Sequence, residues 1–556
     1  MKKNEKVVLR VLFNWLEILV IFFIGLWLIV IRPLGPNLTR LPGDLGDTRF
    51  NNYILEHDFR WITGQDSSLL NAPFFYPYPQ TLTFSDNHFG SMLFYDTFRW
   101  LGLDLESALQ AWYLLSYFLS FGAAAYVLKK FKLKPLAVGI GAFFFTFGLP
   151  LLEQESHMIL FYRFCIPLAC DAIWQFSQKP HFKQLVFMLF WLVWQFYLSI
   201  YLGYFLCLLL AVVAVGLPFT KNKSYINILR YWPSSIKQAW KSSKIRTDIF
   251  YMVLIFFLLF ALIILFQPYI LASKTYGFSR SWEEVQTMLP RIQSYFLAYH
   301  SIFWHQLSIS LSSQITVCGN EHQLFIGMSA IIALVLGMVW RFQSAHRKMA
   351  FLFLGAAGFL VLLTLNVNGF SFYKILWYLP GFNSIRAVSR IILVLMWPIA
   401  LFISVEVDAL LSLSVRTSNF SAIVLIILGL MVAESVFYNH YTFSKADAYS
   451  RIQTLRKRIP SNLPEDPVLF VSNLDSSSWY LTELDAMMLS QNLGWPVMNG
   501  YSGNLPQGYG PTTSCDQAVV RIIRYMNFEK TTDPSFYNNL ISRVVSVGPV
   551  DCQWPK

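Results

Sequence analysis

The chain is poor in charged residues, which make up 13% of its 556 positions, whereas hydrophobic residues make up 55%. Soluble domains keep roughly a quarter of their residues charged. A shortage of this size excludes an ordinary soluble protein and indicates long segments that face lipid. The formal net charge of +12 does not indicate a nucleic-acid partner. The basic residues cluster between apolar runs, as the positive-inside bias of membrane proteins requires.

Cysteine is scarce as well, with six residues in the whole chain, which excludes a disulfide framework as the main source of stability. Cys165, Cys170 and Cys207 lie in apolar runs and are expected to be inert thiols. Cys515 and Cys552 fall in a segment predicted to lie outside the membrane, where a disulfide between them can form.

Three further absences narrow the classes of function. There is no Gly-x-Ser-x-Gly elbow, which argues against acyl transfer by a Ser/His/Asp set. There is no visible internal repeat, which weighs against inverted-repeat transporter folds. There is also no run of His, Cys, Asp or Glu with the spacing of a metal-binding motif. Any chemistry must therefore come from residues that are scattered along the chain.

Long apolar runs dominate what is present. On the rule that a spanning helix needs about 20 mostly apolar residues, we predict an α-helical polytopic membrane protein with about eleven transmembrane helices. They lie near residues 11–32, 106–128, 135–152, 158–176, 183–199, 200–218, 248–267, 323–340, 350–366, 391–411 and 421–438. The apolar run between 183 and 218 is too long for one pass and is predicted to form two helices, with a re-entrant hairpin as the alternative.

The Lys and Arg residues predict the orientation. Those in the first ten positions place the N-terminus inside, and the later loops assigned to the inside are basic too. The transmembrane domain, residues 1–439, then has three long outer segments, 33–105, 268–322 and 367–390. A polar region, 440–556, follows on the same side and is predicted to be a small extracytoplasmic α+β domain. This pattern suits the inner membrane of a bacterial-type cell, with the polar loops on the periplasmic side.

The first outer segment carries the strongest local signal, Pro42-Gly43-Asp44-Leu45-Gly46-Asp47, directly after the first apolar run. Asp47 is a good helix N-cap. The residues after it place one stripe on a predicted amphipathic helix that lies on the membrane: Phe50, Tyr53, Ile54, His57 and Trp61. A carboxylate at the water–lipid boundary can act as general base on a hydroxyl delivered from water. The alternative is that Asp47 only caps the helix and Asp44 only makes a turn.

A spanning helix followed by an Asp that opens a juxtamembrane helix resembles the GT-C class of membrane glycosyltransferases. That class includes oligosaccharyltransferases, protein mannosyltransferases and the aminoarabinose transferases of lipid A. Short inner loops, long outer loops and a C-terminal extracytoplasmic domain are similar to the class as well. The chain lacks the Asp-Glu pair of the mannosyltransferases and the Trp-Trp-Asp signature of the oligosaccharyltransferases, so the resemblance names no substrate.

The resemblance implies that Asp47 is the catalytic carboxylate, with Asp44 as the second candidate. It also implies a further acid near the site, for which Asp86 in Phe84-Ser85-Asp86-Asn87-His88 is the candidate. Some members of the class use a divalent cation and others need none. Oxygen-rich ligands favour Mg²⁺, Mn²⁺ or Ca²⁺, and the candidate ligands are Asp44, Asp47, Asp86 and His157. The alternative for His157 is a polar group at a helix end.

Basic residues on the outer side run against the positive-inside bias and call for a reason. Arg386 and Arg390 are spaced i, i+4 at the mouth of a predicted helix, a fork-like pair that suits a phosphate or diphosphate. Together with Arg280, they are candidates to hold the leaving phosphate of a polyprenyl-phosphate donor. The alternatives are anchoring to lipid headgroups or pairing with an outer-side acid: Glu283, Glu284 or Glu321.

Other outer-side residues are candidates for substrate contacts. The tract Pro73–Pro79 contains Tyr76 and Tyr78, whose rings can wall a sugar site, with an interfacial aromatic belt as the alternative. Tyr501, in the turn-rich loop Asn499–Pro506, can hold an acceptor glycan or simply belong to a surface turn. The remaining candidates are His57, His88, His157, Glu283 and Glu321.

The leading hypothesis is therefore an inverting glycosyltransferase. It would move a sugar from a polyprenyl-phosphate donor to a cell-envelope glycan or glycolipid, such as lipopolysaccharide, on the outer face. A flippase or exporter of lipid-linked glycans is the alternative from another class, and it would need charged or broken helices around a midplane cavity. A scaffold that binds glycan without catalysis is a third possibility.

Overall fold

The computed structural model describes residues 15–221, 225–241, 245–313, 315, 319–340, 345–379, 381–413, 419–472, 479–512, 514–548 and 552. These residues are mostly helical. The helices are, in chain order, α1 Trp15–Leu34, α2 Asp47–Ile62, α3 Met92–Trp100, α4 Leu105–Lys130, α5 Pro135–Leu152, α6 Met158–Gln178, α7 Phe182–Leu198, α8 Ile200–Lys221, α9 Tyr225–Leu229, α10 Tyr231–Lys241, α11 Ile245–Tyr276, α12 Trp282–Thr287, α13 His305–Ser312, α14 Met328–Trp340, α15 Arg347–Thr364, α16 Tyr373–Trp377, α17 Val388–Leu413, α18 Asn419–Val436, α19 Lys445–Arg456, α20 Trp479–Leu493, α21 Asp516–Phe528 and α22 Pro534–Arg543. The strands are β1 Arg40–Pro42, β2 Thr442–Ser444, β3 Val468–Val471 and β4 Val544–Val547.

Eight helices among the described residues are long and apolar enough to cross a membrane: α1, α4, α5, α6, α8, α11, α15 and α17. Three shorter apolar helices, α7, α14 and α18, occupy the positions of the other predicted passes. The chain is a multi-pass membrane protein, while the count of eleven passes and their orientation stay predictions. The long apolar run is divided where predicted, because Ser199 is extended and separates α7 from α8.

The membrane helices differ in how far protein surrounds them. Most of the apolar window of α5 and of α17 is buried, 89% and 94%, whereas only 6% of that of α11 is. Helices α5 and α17 therefore form the centre of the bundle, and α11 lies at its edge. Gly141 allows α5 to approach α17 closely, because a Cβ at this position would lie 1.8 Å from Ser404 Oγ. Small residues at such crossings are the usual means of packing helices in lipid.

The C-terminal region packs onto the first outer segment. β1 pairs antiparallel with β2, which ties residues 40–42 to residues 442–444. β3 pairs in parallel with β4, and both strands lie where the sequence has strand-like runs. One apolar core contains side chains from both regions, among them Phe74 and Phe75 of the first segment and Leu469 and Leu484 of the second. The boundary at residue 440 stays a prediction, and Cys515 and Cys552 do form a disulfide.

Helix α2 begins at Asp47 as predicted, but protein covers it on most sides. Four of the five residues of the predicted stripe are buried, with Tyr53 and His57 fully enclosed, and Trp61 at the end of the helix is exposed. Polar residues on the other faces are buried too. Arg49 pairs with Asp485 of the C-terminal region at 2.7 Å, whereas the buried carboxylate of Asp58 makes no hydrogen bond. The prediction of a helix that lies on the membrane surface is therefore wrong. The local sequence pattern does not indicate that the C-terminal region covers α2.

Candidate active site

The carboxylate of Asp47 takes no part in capping α2. Gly46 occupies the N-cap position, and no side chain makes a cap hydrogen bond at this end of the helix. Asp44 makes the turn instead, because its Oδ1 accepts a hydrogen bond from the backbone N–H of Gly46 at 3.0 Å. Capping, the alternative considered for Asp47, therefore does not occur, while the turn considered for Asp44 does.

Two side chains from distant parts of the chain hold the Asp47 carboxylate. The hydroxyl of Tyr501 donates to Oδ1 at 2.6 Å, and His157 Nε2 lies 3.2 Å from Oδ2. Burial and the nearby Asp47 raise the pKa of Tyr501, so the phenol keeps its proton and donates. Burial, together with the charge of Arg390, lowers the pKa of His157, so the imidazole is neutral at pH 7. The Asp47 and His157 side chains keep 29% and 27% of their surface accessible, so solutes can reach them.

This carboxylate lines a cavity of about 260 Å³, which we call the arginine cavity. Eight of the predicted site residues lie on its wall: Asp47, Asp86, His88, His157, Arg280, Arg386, Arg390 and Tyr501. They come from six separate stretches of sequence. Its three arginines offer guanidinium donors that are suited to an anionic ligand.

The three arginines differ in how fully they are already paired. Arg390 forms a close ion pair with Glu321, with Nη2 at 2.5 Å from Oε1. Burial opposes ionisation of Glu321, but Arg390 outweighs it and lowers the pKa of Glu321 to about 2. Arg386 makes a longer contact, since its Nη1 lies 3.6 Å from Glu284 Oε1 and its side chain is 36% accessible.

Arg280 pairs with the same Glu284 at 3.1 Å and donates to Asn504 Oδ1 at 2.6 Å. Arg386 and Arg390 both line the arginine cavity, and each contacts a different glutamate, which is the pairing considered as the alternative. Their role in binding a phosphate stays a prediction. Ala387 between them is not helical, with φ −85° and ψ 71°, so the i, i+4 geometry of a helix does not apply.

A second cavity, of about 390 Å³, lies on the other side of Asp47 and His157. We call it the acidic cavity, since its wall contains Asp44, Glu153 and Glu321 as well as Asp47 and His157. Glu153 contacts His300 Nδ1 at 2.6 Å. Asp47 and His157 thus lie between the arginine cavity and the acidic cavity, and the Asp47 carboxylate is accessible to ligands in both.

Asp86 lines the arginine cavity, but its carboxylate is used by the fold. Its Oδ1 accepts from the backbone N–H of Ile200 at 2.7 Å, and its Oδ2 accepts from Ser199 Oγ at 2.6 Å. It therefore caps the start of α8 from a distant loop. Burial raises the pKa of Asp86, although these hydrogen bonds oppose the shift. No local pattern in the sequence predicts this contact.

Several predicted substrate contacts lie elsewhere. His57 is fully buried, and its ring contacts Asp66 and the carbonyl of Leu69. Tyr76 and Tyr78 belong to the core between the first outer segment and the C-terminal region, where Tyr78 packs on Tyr525. Both tyrosines and His57 lie outside the arginine cavity because apolar packing and buried hydrogen bonds fix them in the fold.

Glu283 and His88, two further predicted substrate contacts, have different surroundings. Glu283 is exposed, and its neighbour Glu284 is the acid that contacts the arginines. His88 lines the arginine cavity, and its Nε2 lies 2.7 Å from Asn51 Oδ1. Burial lowers the pKa of His88 to about 3, so it is a neutral hydrogen-bonding group.

Some residues of the cavity were missed in the sequence. Tyr201 lies below Arg390, with the guanidinium carbon 5.2 Å from the ring centre, and Tyr269 also lines the wall. Both sit on apolar helices, where a tyrosine is most often a packing residue. Asn504 is missed for another reason, because only the fold brings it to Arg280.

The predicted metal ligands do not gather at one point. Asp47 and His157 are in contact, Asp44 lies on the wall of the acidic cavity, and Asp86 caps α8. Within the described ranges, no group of three or more His, Cys, Asp or Glu side chains is arranged to hold an ion. Metal dependence stays a prediction.

The chain was compared with known proteins. No protein-family profile and no curated sequence matches it. Two structures of the archaeal oligosaccharyltransferase AglB from Archaeoglobus fulgidus are similar, one in complex with an inhibitory peptide and a dolichol-phosphate and one in the apo form. Identity is 12% and 13%, the TM-score is 0.46 for both, and the match covers 88% of this chain and 64% of AglB.

A further similar structure is that of the arabinofuranosyltransferase AftD from Mycobacteria. It is 9% identical with a TM-score of 0.41, and the match covers 83% of this chain and 29% of AftD. The chain thus spans less than two thirds of either protein. Both neighbours are membrane glycosyltransferases of the GT-C type, the class that the sequence resembles. At these scores, a function has to be argued from the residues of this chain.

Proposed function

We propose that the protein is an inverting glycosyltransferase. It transfers a sugar from a polyprenyl-phosphate donor to a hydroxyl of a cell-envelope glycan or glycolipid. The observation that carries this proposal is the position of the Asp47 carboxylate. It makes no cap hydrogen bond to its own helix and lies between Tyr501 and His157. A base with this geometry, next to a cavity lined by arginines, suits the removal of a proton close to an anionic leaving group.

The arginine cavity supports a phosphate ligand. Of the three arginines in the cavity, Arg386 makes the weakest ion pair, since its contact with Glu284 is long and its side chain is partly accessible. Arg280 shares that glutamate, so a phosphate that enters can be bound by two guanidinium groups. Arg390 is already neutralised by Glu321 and serves mainly to shape the wall.

The reaction follows from these positions. An acceptor hydroxyl enters from the acidic cavity and donates its proton to the Asp47 carboxylate. The hydroxyl oxygen attacks the anomeric carbon of the donor sugar from the face opposite the phosphate. The bond between this carbon and the phosphate oxygen breaks, and its electron pair stays on the phosphate, whose added charge Arg386 and Arg280 stabilise. Displacement from the opposite face inverts the anomeric configuration.

The accessible part of the site fits a membrane-bound donor. It lies on segments that follow the membrane helices, so a lipid-linked sugar can reach it without leaving the bilayer. We place the protein in the inner membrane with the site on the periplasmic side, in line with the Lys and Arg distribution.

The test is a transfer assay with the full-length protein in nanodiscs. A panel of labelled polyprenyl-phosphate sugars would be supplied with extracted envelope glycolipid, with and without EDTA. We expect one donor to be used by the wild type and by Asp44→Asn, but not by Asp47→Asn. The absence of turnover with every donor, or equal turnover in the two variants, would overturn the proposal.

A further inference from the structure

The loop that carries Tyr501 enters the arginine cavity between two fixed points. Just before it, Asn499 is fully buried, and its side chain makes two hydrogen bonds to the backbone of β3, of 2.8 and 3.0 Å. Just after it, the backbone N–H of Asn504 donates to the carbonyl of Phe84 at 2.8 Å. Between these points the hydroxyl of Tyr501 contacts Asp47 at 2.6 Å. The position of this hydroxyl therefore depends on what holds the backbone of the loop.

A buried glutamate holds the residue directly before Tyr501. Glu483 lies on α20 with no accessible surface, and its Oε2 accepts from the backbone N–H of Gly500 at 2.9 Å. The same oxygen accepts from the hydroxyl of Tyr509 at 2.9 Å. A carboxylate makes a stronger hydrogen bond to an N–H group than a neutral acceptor does. Glu483 therefore fixes the backbone one residue away from the phenol that contacts Asp47.

The partner of Glu483 is Arg521 of α21, and we call the two side chains the buried pair. Arg521 Nη2 lies 2.8 Å from Glu483 Oε1, and the two side chains are 4% and 0% accessible. The guanidinium also donates to the carbonyls of Met498, at 3.3 Å, and Gly510, at 2.8 Å. Its carbon lies 4.0 Å from the centre of the Tyr509 ring. Arg521 thus neutralises Glu483 and binds the loop on both sides of Tyr501.

The buried pair directs its hydrogen bonds to one segment, residues 498–510, which we call the Tyr501 loop. Within the described part of the chain, every hydrogen bond that the two side chains make outside the pair goes to this loop. Burial of two charges costs free energy, and apolar residues in their place are often as stable. Apolar residues could not, however, hold three backbone groups and one hydroxyl of a polar loop.

Close packing also fixes the path of the loop. A Cβ at Gly500 would lie 2.2 Å from the ring of Phe75, so a residue with a side chain does not fit at this position. Phe75 is fully buried, and its backbone N–H donates to the carbonyl of Asn499 at 3.0 Å. The loop therefore lies between the first outer segment on one side and the buried pair on the other. This arrangement leaves Tyr501 little freedom to move away from Asp47.

We infer that Glu483 and Arg521 are positioning residues of the active site, which hold Tyr501 against Asp47 through the Tyr501 loop. Neither member of the pair lines the arginine cavity or the acidic cavity, so their effect passes through Tyr501. The hydrogen bond from Tyr501 orients the Asp47 carboxylate toward the acceptor hydroxyl. The link to catalysis rests on the proposed function, whereas the placement of Tyr501 does not.

Fluorine NMR tests the placement of Tyr501 without turnover. Full-length protein in nanodiscs would carry fluorotyrosine at position 501, and Asp47→Asn would show how the signal responds when the contact changes. We expect Tyr509→Phe, which removes one hydroxyl from the buried pair, to shift or broaden the signal. Tyr525→Phe is the matched control, because its hydroxyl contacts a different glutamate at 3.2 Å, and it should leave the signal unchanged. An unchanged signal in Tyr509→Phe, or an equal change in Tyr525→Phe, would overturn the inference.

Transfer kinetics test the link to catalysis. Tyr509→Phe should lower kcat about two- to tenfold, the loss typical of one hydrogen bond. In a Tyr501→Phe background it should have no further effect, because both substitutions act on one contact. Equal losses in the two backgrounds would mean that the buried pair only stabilises the fold, and would overturn the inference.

Glu483→Gln should give the same pattern with a larger loss of kcat. Thermal unfolding would verify that each variant is folded, and Tyr509→Phe alone decides the question if Glu483→Gln does not fold. Absence of turnover in the wild type would overturn the proposed function. The fluorine signal would still decide whether the buried pair positions Tyr501.

Discussion

Two helix starts meet at the arginine cavity, and each has an aspartate beside it. At α8, Asp86 accepts from a backbone N–H and from Ser199, so its carboxylate completes the fold. At α2, Asp47 makes no cap bond, and its partners are the side chains of Tyr501 and His157. Both aspartates lie close to the start of a helix, but the Asp86 carboxylate binds backbone and the Asp47 carboxylate does not. A carboxylate that the backbone does not need is available for chemistry.

The same contrast divides the arginines. Arg390 and Glu321 are both largely buried and neutralise each other, as a structural ion pair does. Arg386 is more accessible and has a long contact with a glutamate that it shares with Arg280. Groups used by the fold should change stability when they are substituted, and groups left free should change activity. The following predictions test this division.

The largest effect is expected from Asp47→Asn. Loss of the general base should lower the maximal transfer rate by about 10²- to 10⁴-fold. Thermal unfolding should change little, because the substitution keeps the shape and removes no cap. Transfer assays and unfolding curves on one preparation measure both quantities. A large loss of stability with Asp47→Asn would remove the contrast with Asp86.

Glu321→Gln should act mainly on stability. It leaves Arg390 buried without its counter-charge, which typically costs about 3–5 kcal/mol. The effect should also depend on pH. The pKa of Glu321 lies at about 2 in the folded protein against an ordinary 4.5, so its contribution is complete above pH 4.5 and is lost as pH falls toward 2.

Unfolding of the wild type and of Glu321→Gln in detergent across this pH range measures the difference. The gap between the two proteins should shrink as the solution is acidified. A gap that stays constant from neutral pH to pH 2 would contradict an ionised Glu321.

Arg386→Ala should weaken donor use with little change in stability. Loss of one charge-assisted hydrogen bond to phosphate should raise the KM for the donor about tenfold or more. The KM for the acceptor should stay the same, because the acceptor enters from the acidic cavity. Steady-state kinetics with each substrate varied in turn distinguish these effects. An effect on the acceptor alone would reverse the assignment of the two cavities.

The smallest effect is expected from Asp86→Asn. An amide can still accept from the N–H of Ile200, so we expect a loss of about 1 kcal/mol or less in the free energy of unfolding, as for a weakened N-cap. Transfer should fall far less than in Asp47→Asn. A rate loss as large as that of Asp47→Asn would show that both carboxylates take part in the chemistry.

Eight of the predicted membrane helices are found among the described residues, because length and apolarity are local properties of the sequence. Ser199 divides the long apolar run where two helices were predicted, and Asp47 opens the helix after the first span. The active site is harder to predict, since its contacts join distant positions. Tyr501 and Asp47 are 454 residues apart, and no periodicity links them.

The wrong predictions have the same origin. His57 lies on a stripe that the local pattern assigned to the membrane surface, but four of its five residues, His57 among them, are buried within the protein. The spacing of Arg386 and Arg390 is that of a helical pair, but Ala387 is not helical and the helix begins only after it. A local pattern indicates which face of a helix is apolar, and only the fold determines what covers that face.

The most direct test of the central claim is single-turnover transfer by Asp47→Asn with labelled donor already bound in nanodiscs. We expect the variant to bind the polyprenyl-phosphate sugar as the wild type does and to form almost no product when acceptor is added. Product formed at the wild-type rate from bound donor would show that Asp47 is not the base, and the carboxylate between the two cavities would then need another role.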